Sequence, residues 1–410
     1  MPHQLPTIES LRNRPGPLIL LLAALVMIGP FSIDMYLPAF TAIEASFGVS
    51  PTALQQTLSI YLIAYAVMML WHGALADAWG RRPMILTSLA IYAVATLGCA
   101  IAGNIETLWL FRALQGVSAG VGLVIGRTVV RDVFHGVAAQ KVMTRITQIF
   151  SVAPAIAPVV GGLLIGMGSW RFVFWGLLIL VVLLLVWCYR MLPETLPPEA
   201  RQSLHLGPLY RNYRTVILRP EFILLALTPA LNFAGFFIYI AGAPSFLVKL
   251  LGVSEQGFAW LFVPMILGVV IGATLAGKLA GRISPERIIV LGYFCMGAAS
   301  ALNIGVCLFL PANIIWNVLP VMLYTTGSSM VAPNAFLFLL AIFPTLRGLT
   351  SSLQGFLQFS LIALISALLV PLIDTSLITL AFGMMAFTTV GGILWVIYWK
   401  TRAPLESGAF

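Results

Sequence analysis

The sequence predicts an all-α integral membrane protein: twelve transmembrane helices in two six-helix halves related by pseudo-twofold symmetry. Three observations predict it. The 410 residues are 60% apolar and only 9% charged, against about 25% charged in a soluble domain, and the mean hydropathy is +1.02. The apolar residues form repeated runs of about 20, the length that crosses ~30 Å of hydrocarbon at ~1.5 Å per residue. The longest polar stretch falls in the middle of the chain, with six runs on either side. A β-barrel would show short alternating segments instead.

The N-terminal segment MPHQLPTIESLRNRPGP is polar and carries Arg12 and Arg14. The first run, roughly 17–38, is too long for a signal-peptide core and has no clear small-residue cleavage site, so it is a span. Pro38 ends it. The second run, roughly 54–76, and the third, roughly 84–103, meet at GALADAWGRRP, residues 73–83. That connection packs Gly73, Asp77, Gly80, Arg81 and Arg82 into one tight polar loop. The fourth span, roughly 107–130, contains Arg112, and the fifth, roughly 143–167, contains Pro154 and Pro158. Prolines of this kind remove backbone hydrogen bonds and kink helices, and they are common in membrane bundles. The sixth, roughly 171–190, includes GLLILVVLLLVW, with no polar side chain until Trp187. The third, sixth, ninth and twelfth spans are the plainest, which suits the lipid-facing periphery.

Residues 191–220 are Pro-rich and basic and read as a linker between an N-terminal half (1–190) and a C-terminal half (221–410). The second half supplies runs at roughly 221–246, 256–279, 286–310, 314–341, 348–372 and 376–399. The halves echo one another. Gly-Ala-Leu-Ala-Asp from Gly73 has a counterpart in Gly-Lys-Leu-Ala-Gly from Gly277, and Pro38-Ala39-Phe40 in Pro244-Ser245-Phe246, both about half the chain later. Duplicated halves place a substrate site near the membrane midplane.

The net charge of +9 is a topology signal. With an even number of spans both termini share a side, and every Lys and Arg except Arg112, Arg171 and Lys249 falls there. The positive-inside rule makes that side the cytoplasm, and no nucleic-acid partner is needed. The four cysteines, Cys99, Cys188, Cys295 and Cys307, are isolated inside spans and read as small buried hydrophobes, with no metal site. No HExxH, Cys/His cluster or sizeable extramembrane domain points to an enzyme, and no long signalling loop or tail points to a sensor.

An ionisable group in hydrocarbon costs roughly 2.5 kcal/mol or more, so each is a candidate. Asp34, about one turn before Pro38, leads. Burial disfavours its charged form and suits it to binding a proton near neutral pH; the alternative is an interfacial carboxylate already in water. Arg112 lies at matching depth on the fourth span, as a switchable partner for Asp34 or as half of a structural pair. Tyr61 and Tyr65, four residues apart, give the second span an aromatic, hydrogen-bonding face that lines a cavity or anchors at the interface. Asn232, Phe236 and Tyr239 form a comparable stripe on the seventh span. Asn334, Gln354 and Gln358 line a pathway or tie helices together. His72 reads as a packed or snorkelling histidine.

On these motifs the chain resembles the major facilitator superfamily along nearly its whole length. GALADAWGRRP matches the family's G-x-L-x-D-x-x-G-R-R loop, with Ala78 in place of the usual Arg. LWLFRALQGVSAGVG resembles the span-four R-x-x-x-G pattern, giving Arg112 and Gly116. SVAPAIAPVVGG resembles the span-five antiporter pattern G-P-x-x-G-G, carried by Pro158, Gly161 and Gly162, with Ala157 in place of the first Gly. SIDMYLPA, RTVVRDVF and PNAFLFLLAIFPTLRGLTSSLQGFLQ are similar to the bicyclomycin- and chloramphenicol-resistance (Bcr/CflA) branch. The resemblance implies a proton-coupled multidrug antiporter of the bacterial inner membrane. Asp34 and Arg112 would couple protons, and Asp77 and Arg81 would latch helices in the outward-facing state. It further implies a small amphipathic drug as substrate, protons and the bilayer as the other partners, a monomer, and no cofactor beyond the proton gradient. A proton-coupled exporter of a metabolite such as an amino acid or nucleoside is the alternative.

Overall fold

The computed structural model describes residues 5–201, 206–344 and 346–401. Both chain ends, part of the linker and Arg402 of the charge asymmetry lie outside the described residues. Twelve helices long and apolar enough to cross a membrane are present among the described residues, and no strand is, which bears out the predicted fold class. Contacts divide the chain into two compact units, Met1–His205 and Leu206–Phe410.

In the first unit the spans depart from their sequence boundaries for local reasons. The first continues to Phe47. Pro38 does not end it, because it sits at the start of a 3-10 turn, Leu37–Ala39, where its missing N–H is no loss. The helix then resumes as Phe40–Phe47 and stops at Gly48. Asp34, the last residue of the segment Gly16–Asp34, is therefore deeper in its span than the sequence suggests. The second span, Pro51–Met69, stops early, and the expected polar loop is mostly a second short helix, His72–Trp79. The third, Arg81–Ala100, begins after the single residue Gly80. The fourth, Ile105–Val133, is interrupted at the single residue Gly120. The fifth, Gly136–Ile165, keeps Pro154 and Pro158 inside it.

The third span is not peripheral. It packs between the fourth and the sixth (Arg171–Met191), and 56% of its most apolar window is buried against 33% for the sixth. Its inward face carries Ser88, Tyr92, Thr96 and Cys99, all buried. Ahead of the first span, the short helix Ile8–Asn13 is capped by Thr7 and buries Leu11. Its Arg12 donates from Nε to the Val133 carbonyl at 2.6 Å, filling an acceptor that the end of the fourth span leaves open.

In the second unit the seventh span, Pro220–Ala241, packs against the tenth (Ile314–Ile342) and the twelfth (Leu377–Thr401). Pro244 opens a wider π turn, Pro244–Leu250. It thus marks a departure from α geometry at the place where Pro38 does in the first unit. Gly281, after the eighth span, has φ +76°, so both units turn into their third helix near a glycine of positive φ, though not at aligned positions. The linker's own helix, Leu206–Ile217, precedes the seventh span.

The first and fifth spans meet at Gly161. A Cβ there would strike the Met35 carbonyl, so only glycine lets the fifth span lie against the residue after Asp34. Gly161→Ala should cost about 1–3 kcal/mol by overpacking and lower the melting temperature of the detergent-solubilised protein by several degrees. Gly277→Ala, with open space at its Cβ and a helical backbone, should leave stability unchanged or slightly raised. Thermal unfolding of the two variants side by side checks both.

Candidate functional site

The first unit holds its deepest charge on the fourth span. Arg112 is 0% exposed. Its guanidinium lies between two rings, 4.7 Å from the Tyr36 centroid and 4.4 Å from that of Tyr61, an arrangement that replaces part of its lost hydration. Nη1 donates to the Ser32 carbonyl at 3.1 Å and to Gln115 Oε1 at 2.9 Å. Gln115 is held in turn: its Nε2 donates to Thr96 Oγ1 at 2.8 Å, and that hydroxyl donates to the Tyr92 carbonyl. Ser32 Oγ bonds the Ile28 carbonyl and the Tyr92 hydroxyl. Arg112 Nε and Nη2 have no hydrogen-bond partner among the described residues. Two donors of a buried cation are thus left open, a costly condition for any merely structural residue.

Asp34 is 5% exposed, yet it forms no ion pair with Arg112 among the described residues. The pair expected from depth alone is therefore corrected. Arg112 takes the carbonyl of Ser32, and Asp34 lies two residues on, about 200° around a helix of ~100° per residue. Reaching one does not bring the guanidinium to the other.

Tyr61 belongs to the Arg112 site, where its hydroxyl donates to the Gly29 carbonyl at 3.4 Å. Tyr65, also buried, has its ring centroid 6.0 Å from that of Tyr61. The other proposed substrate residues lie in the second unit. Asn232 is 0% exposed; its Nδ2 donates to the Tyr293 hydroxyl at 3.1 Å, its carbonyl accepts from Tyr324, and its Oδ1 has no partner. Phe236 stacks edge-on with Phe233 and Tyr324. The Tyr239 hydroxyl accepts from Asn303 at 2.6 Å. Asn334 donates to the Met330 carbonyl of its own helix, and Gln358 accepts from Gln354 at 2.9 Å. Asn232 and Phe236 share Tyr324, whereas Tyr239, Asn334 and Gln358 each have separate partners. His72 is fully buried.

A second polar cluster surrounds Gly80. Arg81, 6% exposed, bonds Asp77 at 2.5 Å and Asp132 at 3.3 Å. Asp132 also accepts from Thr195 at 2.9 Å. The Glu194 carboxylate receives the backbone N–H groups of Arg81 and Arg82 at 3.0 and 3.3 Å. It therefore caps the positive end of the third span, which no side chain of its own caps. Gly80 has φ +108°, and a Cβ there would fall on that same carboxylate. Gly73 lies in the preceding short helix, half-buried. Of the antiporter-motif residues, Pro158, Gly161 and Gly162 are buried in the fifth span.

Gln115, Asp132 and Glu194 are the residues that sequence reasoning missed. Gln115 is an amide inside a span three residues after Arg112, the signal applied to Asn334 and Gln358. Asp132 stands in the quoted RTVVRDVF, and Glu194 in a stretch read only as linker.

The protein-family model for the Major Facilitator Superfamily matches residues 22–367. The chain belongs to the major facilitator superfamily. It is 31% identical over 379 residues to an uncharacterized MFS-type transporter, YdgK, of Bacillus subtilis, covering 90% of this transporter and 94% of the relative. It is 26% identical to the bicyclomycin resistance protein homolog of Haemophilus influenzae, covering 95% and 97%. It is 29% identical to multidrug resistance protein D of Escherichia coli, covering 97% and 98%. These relatives bear out the resemblance to the drug-resistance branch. Among solved structures, a D-xylose-proton symporter superposes with a TM-score of 0.78 at 15% identity, covering 97% of this transporter and 99% of that chain, which is a likeness of fold.

Glu194→Ala should uncap the third span at a cost of about 1 kcal/mol and speed hydrogen exchange at residues 81–84. Glu194→Asp should recover part of the protection. Mass spectrometry of deuterium uptake over that peptide checks it, with residues 90–100 as the internal reference.

Proposed function

We propose that this transporter is a proton-coupled multidrug efflux antiporter, exporting small amphipathic compounds of chloramphenicol or bicyclomycin type across the bacterial inner membrane by alternating access. The observation that carries the reading is Asp34: a buried carboxylate within a membrane span, without an ion pair among the described residues, in the same unit as a buried arginine that keeps two donor nitrogens open. Intramembrane acids so placed mark proton pathways. Relatives named for bicyclomycin and multidrug resistance support a drug as cargo.

In this scheme a proton from the periplasm neutralises Asp34 and favours release of substrate outward. Loss of the proton to the cytoplasm restores a carboxylate that the open donors of Arg112 can attract, and resets the cycle. Gln115 and Ser32 hold Arg112 throughout. The drug meets apolar, aromatic surfaces with few fixed polar contacts, offered by Tyr61 and Tyr65 in the first unit and by Asn232, Phe236, Tyr239, Asn334 and Gln358 in the second. Asp77, Arg81, Gly73 and Gly80 form a latch that Asp132 extends, and Pro158, Gly161 and Gly162 set the fifth span for export. The two halves rock about the linker, both termini face the cytoplasm, the monomer is the working unit, and the proton gradient is the only energy source.

Inverted membrane vesicles with an imposed pH gradient test this. Wild-type vesicles should accumulate chloramphenicol or a fluorescent substrate only while the gradient lasts, and Asp34→Asn should lose gradient-driven uptake at least tenfold while still inserting normally. Uptake that survives collapse of the gradient, or full gradient-driven transport by Asp34→Asn, overturns the proposal.

A further inference from the structure

The linker helix Leu206–Ile217 carries a face that the transport scheme does not use. It packs on the seventh and eleventh spans through buried Val216 and half-buried Asn212 and Tyr213. Tyr210, Arg211, Arg214 and Leu218 point the other way. At ~100° per residue they fall within an arc of about 100°. Tyr210 is 71% exposed and Leu218 66%, and both arginines are exposed.

The helix has a fixed place relative to the bilayer. Its last turn closes with Leu218 N–H on the Arg214 carbonyl and Arg219 N–H on that of Val216, and the seventh span begins at Pro220. Two residues separate the linker helix from a membrane-spanning helix, so its C-terminal turn is at headgroup level. There Tyr210 and Leu218 suit the boundary between headgroups and acyl chains, and long arginine stems let the charge reach phosphate. Arg211, Arg214 and Arg219 make no ion pair among the described residues. The nearest carboxylate in sequence, Glu221, pairs with none of them, and the Thr215 hydroxyl is turned back onto the Arg211 carbonyl. Three cations without counterions among the described residues, interleaved with exposed aromatic and aliphatic groups, complement an anionic lipid surface. A nucleic acid or an acidic protein has to be brought to this face, whereas the bilayer surface two residues away meets the charges and the apolar groups together.

We propose that the outer face of this linker helix binds anionic phospholipid headgroups of the leaflet beside it, with Arg211 and Arg214 of that face and Arg219 just past the helix end on phosphate, and Tyr210 and Leu218 inserted between lipids. Binding fastens the start of the seventh span to the membrane surface and makes the linker responsive to lipid composition.

The purified full-length protein, reconstituted in nanodiscs of mixed phosphatidylglycerol and phosphatidylcholine and then released for native mass spectrometry, tests this without reference to transport. The wild type should retain phosphatidylglycerol selectively. The triple variant Arg211→Gln, Arg214→Gln, Arg219→Gln should lose that selectivity, and Arg214→Gln alone should lower it about fivefold. A nitroxide on Tyr210→Cys, corrected for wild-type labelling, should report headgroup depth in phosphatidylglycerol bilayers. Equal selectivity in the wild type and in the folded triple or single variant overturns the proposal, as does a label at position 210 that reads bulk water in those bilayers.

Discussion

A guanidinium buried inside a membrane span, where there is no water to solvate it, constrains the whole first unit. The hydrocarbon region offers the Arg112 side chain nothing. The fold answers with two tyrosine rings, one backbone carbonyl and one amide. Each of those groups sits on a different helix or must be oriented by another. Tyr36 and Ser32 come from the first span, Tyr61 from the second, Thr96 from the third, Gln115 from the fourth itself. The first four spans are thus fixed to one another by the needs of a single side chain, and the fifth reaches them through the glycine contact at Met35. The answer is also incomplete. Nε and Nη2 of Arg112 have no hydrogen-bond partner among the described residues.

The Gly80 cluster solves a related problem at the membrane surface. The third span starts abruptly, with unpaired amides and a positive dipole end beside two arginines. Glu194 answers the amides and Asp77 with Asp132 answers Arg81. Acids from three separate segments converge because the positive charge density there is too high for any one of them. The positive φ of Gly80 is what allows a helix to end and another to begin within a single residue while a carboxylate occupies the space of a side chain.

Much of this was legible before any coordinates. Hydrophobic run length gave the twelve spans because the bilayer sets that length from outside the protein. Polarity inside spans gave Asp34, Arg112, Tyr61 and Asn232 because burial makes such residues expensive. Span ends were less legible. Pro38 reads as a stop, yet in the first turn of a 3-10 segment, second after Leu37, it has no hydrogen bond to break, so the span runs on. Partners were least legible, since depth along a helix carries no information about azimuth. Asp34 and Arg112 match in depth, but the Ser32 carbonyl and Gln115 hold the arginine on another side. The plainness of the third span misled for a similar reason: composition does not show that its few polar groups share one inward stripe.

The carboxylate that finishes the first unit lies beyond the end of its last span. Glu194 and Thr195 follow the sixth helix, yet their bonds reach back across the sequence to Arg81, Arg82 and Asp132. A half-protein cut at the end of the sixth helix would keep every membrane segment and still lack the acid that seats its third one. A split of the protein made for complementation therefore has to fall inside the tether rather than at the membrane, so that Glu194 stays with the amides it receives.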